Sequence, residues 1–168
     1  MTDTSRFDAL LETIRDFPRE GITFKDISPL LLNAFPDFID AMSASLKNWD
    51  SIDHVAGLEA RGFPFAAALA YKHRKGFLML RKAGKLPPPT IQQAYDLEYG
   101  KAVLECKHGQ GRVLIVDDVL ATGGSMAASV ALVRAAGYEA VGTLAASRLS
   151  FLHQTLPPDV PHHWILEI

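Results

Sequence analysis

Apolar residues recur at helical intervals near the start of the chain and in short unbroken runs later on. Phe7, Leu10, Leu11 and Ile14 predict an amphipathic helix over residues 5–17, stopped by Pro18. The following "REGITFKDISPLL" mixes glycine, proline and short apolar pieces and reads as irregular. Pro36 suits a helix N-terminus, with Phe38, Ile39, Met42 and Leu46 on one apolar face. From residue 54 the texture changes. "HVAGL" (54–58), "FLML" (77–80), "AVLEC" (102–106), "RVLIV" (112–116), "AVGTLAA" (140–146) and "HHWILEI" (162–168) predict strands. Between them, the alanine-rich 62–74 and residues 124–136, closed by Gly137, predict helices.

Strands that alternate with helices and are apolar throughout imply an α/β fold: a mainly parallel central sheet flanked by helices. Residues 82–100, "KAGKLPPPTIQQAYDLEYG", interrupt the alternation with three successive prolines and two glycines and predict one long loop. At 168 residues the expectation is a single domain, 1–168.

Composition narrows the function classes. A net charge of −2 gives no bulk attraction to nucleic acid or anionic membrane, so any basic site is local. The single cysteine, Cys106, allows no intrachain disulfide and suits a reducing compartment. With no secretory pattern at the start and no apolar run of membrane-spanning length, a soluble cytoplasmic protein is expected.

The chemistry concentrates in "VLIVDDVLATGGSM" (113–126), where an apolar strand runs into two adjacent carboxylates and a small, glycine-bearing turn that enters a helix. Such a turn directs unpaired backbone N–H groups and the positive end of the helix dipole at one point, a cradle for a phosphate-sized anion. The nucleotide P-loop pattern is absent, and Asp117 and Asp118 call for another partner: sugar hydroxyls or a metal-bound water. The plainer alternative is a strand-end Asp that caps its own loop. "GQG" (109–111) precedes a strand and reads as a turn, and the adjacent His162 and His163 point to opposite faces of a strand and make a poor metal pair. Cys106 reads as a packed core residue.

"VLIVDDVLATGGS" resembles the phosphoribosyl-pyrophosphate (PRPP) signature of the type I phosphoribosyltransferases. "DFPREGITFKDISPLL" (16–31), "AGLEARGFPFAAALA" (56–70), "RKAGKLPPPT" (81–90) and "YDLEYGKAVLE" (95–105) resemble the adenine-using members, in the family's order. The resemblance implies the type I fold with a small N-terminal hood (roughly 18–35) and a flexible lid (roughly 82–100). It also implies transfer of the phosphoribosyl group from PRPP to adenine, giving AMP and pyrophosphate, with Mg2+ and in a homodimer.

Under that resemblance Ala121, Thr122, Gly123, Gly124 and Ser125 hold the 5-phosphate, and Asp117 and Asp118 accept from the ribose hydroxyls, directly or through water on the metal. No residue is expected to hold Mg2+ outright. Pyrophosphate falls to Ala60, Arg61, Arg81, Lys82, Lys85 and Tyr99, with a cis peptide often found near Ala60 in the family. Arg61 and Lys85 count with Glu98 as catalytic, Glu98 serving a purine nitrogen as acid or base. Ile22, Phe24 and Lys25 lie where the hood meets the base. Taken singly, Arg61 reads first as a surface ion pair and Glu98 as a solvated loop acid, while Phe24 reads equally as core. One segment departs from the family: "TLAASRLSFLHQTLPPD" (143–159) lacks the Glu and Gly-Arg of the adenine-type pattern, and Ser147 and Arg148 lie about where the acid belongs. Two further expectations stand beside adenine: another purine (hypoxanthine, guanine or xanthine), favoured by Arg148, or a non-catalytic PRPP-sensing regulator. Such regulators carry an added DNA-binding domain, for which this chain has neither room nor a basic reading helix.

Overall fold

The computed structural model describes residues 4–17, 19–21, 23–97 and 100–168. The N-terminal quarter departs from the expected helix. Only Ser5–Asp8 is helical (α1); Glu12–Arg15 (β1) pairs antiparallel with Thr23–Asp26 (β2), Ile14 opposite Phe24. Phe7 is the buried anchor of the helical turn, edge-on to Phe38 at 5.0 Å, while Thr13 and Ile14 are β-branched and find a strand partner. The stretch read as irregular therefore holds β2 and the first turn of α2 (Ser28–Ala44). Pro36 lies inside that helix, two residues past a break at Ala34 (φ −143°), so it still opens a helical segment, where its missing N–H costs nothing.

The later runs form the expected elements, with one strand added, β5: β3 (His54–Leu58), α3 (Phe63–Lys72), β4 (Gly76–Lys82), β5 (Ile91–Leu97), β6 (Gly100–Cys106), β7 (Arg112–Leu120), α4 (Gly124–Ala135), β8 (Glu139–Arg148) and β9 (His162–Glu167), of which β4, β6, β7 and β8 are longer than expected and α3, α4 and β9 shorter. The predicted loop 82–100 shrinks to residues 83–90. Beyond it, Ile91 and Tyr95 pack on the α4-side core, and β5 forms an antiparallel hairpin with β6.

Seven strands share one sheet in the order β5-β6-β4-β3-β7-β8-β9, parallel from β4 to β9 and antiparallel at β6 and β5. Alternate residues feed two cores. Val55, Leu114, Val116 and Leu144 face α2 and α3, where Phe38, Phe65 and Leu69 are fully buried; Ala56, Val113, Ile115 and Ala145 face Met126, Val130 and Val133 of α4. The chain thus leaves β3 toward one face and β7, its neighbour, toward the other. That divergence opens a crevice at their carboxyl ends, where ligands bind in sheets of this kind. Cys106 is fully buried, as expected, and burial pushes its thiol up to about 11. A maleimide at pH 8 is therefore expected to leave the folded protein unlabelled and to label it after denaturation; labelling at equal rates in both states would contradict this burial.

Candidate functional site

Both acids lie within β7 rather than past its end. Pairing with β3 stops at Gly57↔Val116, but β8 continues alongside through Asp117↔Ala145 and Leu120↔Arg148, so the ladder carries the carboxylates beyond β3 into the crevice. Asp118 is buried, and the Asp117 Oδ1 accepts from the Asp118 N–H at 2.9 Å. Burial raises the pKa of both carboxyls above the ordinary value; for Asp117 the adjacent Asp118 charge adds to the rise, and Arg61 opposes it in each. Asp118 Oδ2 forms an ion pair with Arg61 Nη2 at 2.5 Å yet accepts no hydrogen bond among the described residues.

Arg61 reaches Asp118 because Gly62 lets its loop press on β7. A Cβ there would stand 2.7 Å from the Val116 carbonyl oxygen and 2.9 Å from that of Leu58. The preceding Glu59–Ala60 peptide is cis. Arg61 also lies over the ring of Phe24, 5.3 Å from its centroid, and Phe17 stands edge-on to the same ring at 5.2 Å. Phe24 is half-buried, so it belongs to a wall rather than to the core; with Asp26, Leu31, Ala60, Arg61 and Pro64 it lines a cavity of about 350 Å³. Lys25 faces away, its Nζ donating to Thr13 Oγ1 at 2.7 Å. Ile22, Glu98 and Tyr99 lie outside the described residues.

Gly123 caps α4 at φ +90°, a left-handed conformation that a side chain disfavours, and a Cβ would meet the Thr155 carbonyl oxygen at 2.7 Å. Ala121 to Ser125, with Asp117, line a concavity of about 160 Å³ at the start of that helix. The first-turn N–H groups there lack intrahelical partners and open into it. Sequence reasoning missed what seats this turn: Thr155 N–H donates to the Thr122 carbonyl at 2.9 Å, and the buried Ser147 hydroxyl to that of Asp118 at 3.1 Å. Both lie in the segment that departs from the family pattern, so its departure gave the only signal. Arg148 is engaged away from the crevice: its guanidinium stacks on Trp164 at 4.5 Å and donates to Gln154 at 3.0 Å.

Arg81, Lys82 and Lys85 follow from β4. Glu59, also missed, accepts from Arg81 Nε at 3.1 Å and the Lys82 N–H at 3.0 Å. Its carboxyl lies below the ordinary range, first through the Arg81 hydrogen bond and last through the charge of Lys85, against the pull of burial. The loop after the strand is thereby tied to the residue that precedes Ala60 and Arg61. The structure thus brings the acid pair, the glycine turn, Arg61 and Phe24 to one crevice, with the basic loop joined to it through Glu59.

Among the described residues no three His, Cys, Asp or Glu side chains are placed to hold a metal ion on their own. The acid pair nevertheless suits Mg2+, which binds proteins through one or two carboxylates and completes its shell with water and phosphate. The raised pKa of both adjacent carboxyls, only partly offset by Arg61 on Asp118, fits a place where a dication would stabilise the charged forms.

Residues 32–153 match the phosphoribosyl transferase domain family. The adenine phosphoribosyltransferase of Hydrogenovibrio crunogenus is 53% identical over 135 residues, 79% of this chain and 78% of its own length. The crystal structure of adenine phosphoribosyltransferase from Rhodothermus marinus superposes with a TM-score of 0.89 at 38% identity, covering 98% of this chain and 97% of that one. The Saccharomyces cerevisiae enzyme, solved with an imino-altritol bisphosphate and adenine, gives a TM-score of 0.80 at 35% identity over 89% and 90% of the two chains.

Proposed function

Because the chain belongs to the phosphoribosyl transferase family, we infer that it transfers the phosphoribosyl group of PRPP to adenine and releases AMP and pyrophosphate. The observation that carries the reading is the acid pair on β7 running into the Gly123 turn, with Arg61 on Asp118. Ala121, Thr122, Gly123, Gly124 and Ser125 receive the 5-phosphate on backbone N–H groups and hydroxyls. Asp117 and Asp118 accept from the ribose hydroxyls. Asp117 and Asp118 would also hold the water shell of a Mg2+ ion, which when bound would supply charge neutralisation at PRPP.

Scission of the C1–pyrophosphate bond develops positive charge on the sugar and negative charge on the leaving group, so anion-binding donors speed it. Arg61, which the free protein holds on Asp118, offers a planar fork to the diphosphate. Ala60, Arg81, Lys82, Lys85 and Tyr99 complete that half-site. Phe24 stacks on the purine in the 350 Å³ cavity, backbone groups from Ile22 to Lys25 read its edge, and Glu98 exchanges the proton of the purine nitrogen. The hood spans residues 18–35; of the expected lid 82–100, residues 91–97 belong to the sheet as β5, and the loop 83–90 is left to cover the pyrophosphate half-site and keep water out. Arg148, committed to Trp164 and Gln154, gives no support to an oxo-purine.

The enzyme works as a homodimer in the cytoplasm, as a single domain. An exposed apolar surface supports pairing: Tyr71 of α3 and Phe77 and Met79 of β4 are 76%, 42% and 40% exposed, with Phe63 edge-on to Phe77. It continues along β4 to Arg81 and Lys82, so a second copy seated there lies beside the basic loop. Among the described residues no helix is long and apolar enough to cross a membrane.

The test offers PRPP and Mg2+ with adenine, hypoxanthine, guanine and xanthine in turn and follows nucleotide formation. AMP from adenine, with the oxo-purines slower by at least about tenfold, is the expected result. Preference for an oxo-purine overturns the base assignment, and PRPP binding without turnover of any base overturns the enzymatic one.

A further inference from the structure

Glu105 is 1% exposed, yet it is a charged residue at the buried end of the hairpin strand β6. Its partners all come from the segment that carries Lys85. Oε1 accepts from the backbone N–H groups of Lys85 and Leu86, each at 2.7 Å. Oε2 accepts from the Thr90 hydroxyl and the Gln92 amide, each at 3.3 Å. Burial alone would lift this carboxyl, but the donated N–H groups of Leu86, Gly84 and Lys85 hold it at about 2, so it stays ionised in any working buffer. The other side of the same peptide is also held: Arg81 Nη1 donates to the Lys85 carbonyl at 3.3 Å while its Nε is on Glu59. Lys107 clamps the loop further on, its Nζ donating to the carbonyls of Pro87 and Pro89.

Lys85 itself is exposed, so no packing aims its side chain. Its backbone alone is fixed, and Glu105 supplies the strongest of the fixing bonds, because a carboxylate that collects several N–H donors binds each more tightly than a neutral acceptor does. A loop of glycine and prolines that lacked this centre would lose the ammonium's placement before it lost the fold.

We propose that Glu105 is a positioning residue for the transfer reaction: it organises residues 84–92 around its carboxylate and so presents the Lys85 ammonium to the pyrophosphate group of PRPP. The proposal rests on the reading of Lys85 as a pyrophosphate ligand. It assigns Glu105 no contact with substrate; its effect passes through Lys85.

Steady-state kinetics on the full chain, with PRPP and adenine varied separately, test it. Glu105→Leu removes every acceptor and is expected to raise the KM for PRPP about tenfold while leaving the KM for adenine in place. Glu105→Gln keeps one oxygen for Lys85 and Leu86 and is expected to recover part of the loss, at about threefold above wild type. Lys107→Met loosens the loop from its other side and moves the same parameter in the same direction, which keeps the test open if Glu105→Leu does not fold. The deciding comparison is Glu105→Gln in a Lys85→Ala background, where no further rise is expected because the group being positioned is gone. An unchanged KM for PRPP in Glu105→Gln, an equal rise in both backgrounds, or an effect on adenine instead overturns the proposal. If Lys85→Ala alone leaves the KM for PRPP unchanged, the reading of Lys85 fails; if it raises that KM and the Glu105 variants do not, only the present inference fails.

Discussion

Asp117→Asn is expected to melt above the wild type at pH 7 and to form AMP about 10²–10³-fold more slowly. Both effects have one cause. The folded protein raises the Asp117 pKa through burial and through the neighbouring Asp118 charge, so between the ordinary carboxylate value and the raised one the folded state binds more protons than the unfolded chain. Stability then falls as pH rises through that window, and above it the wild type carries the full burden of two adjacent charges, Asp118 buried and Asp117 half-buried. The amide keeps an oxygen for the Asp118 N–H but carries no charge, and it offers the ribose hydroxyls and the metal shell a weaker acceptor. Thermal melts from about pH 4 to pH 8 should show the variant's advantage growing with pH, each kcal/mol relieved adding about 2–4 °C. A variant that melts lower at pH 7, or that turns over at the wild-type rate, contradicts this account of the pair.

The second large effect is expected at Gly123. An alanine there must hold φ at +90°, at a cost of about 1–2 kcal/mol, and its Cβ would stand 2.7 Å from the Thr155 carbonyl oxygen. The turn can respond only by moving off Thr155 or by rotating the peptide, and either change turns the N–H groups away from the 160 Å³ concavity. Gly123→Ala should therefore raise the KM for PRPP by about 10²-fold, leave the KM for adenine within about twofold and keep the cooperative melt. Gly21→Ala is the control. That glycine also has positive φ, +83°, but nothing lies within 4 Å of its added Cβ, so a much smaller change isolates the contact from the dihedral. Equal effects of the two substitutions would remove Thr155 from the explanation.

What could be read from the chain follows from the range of the forces involved. Strands β3, β7 and β8 were visible because both their faces are largely buried, which leaves an apolar run with no alternation to misjudge. The Asp117–Ser125 segment was legible for the same reason: an acid pair and a glycine turn are local, and their chemistry does not depend on distant partners. The opening helix misled because Phe7, Leu10, Leu11 and Ile14 fit helical spacing, whereas the ladder between Ile14 and Phe24 is decided ten residues away. The hairpin hid behind three prolines; its pairing with Leu104 and Cys106 is what overrides the local signal. Glu59, Glu105 and Thr155 were invisible as parts of the site because each acts by accepting from or donating to backbone elsewhere in the chain, a contact with no signature in spacing.

The position of β3 also sets an order of events during synthesis. Its partner on one side, β4, leaves the ribosome soon after it, but its partner on the other side is β7, with Val55 opposite Leu114. Roughly 60 residues separate them, so at bacterial translation rates the central strand waits about 3–12 s with one edge open. During that interval the nascent chain grows from the pair β3-β4 to the four strands β5-β6-β4-β3 while the other edge of β3 stays unsatisfied, the kind of surface that recruits chaperones or a neighbouring chain. The strand that carries the acid pair is thus also the one whose arrival closes the open edge of β3.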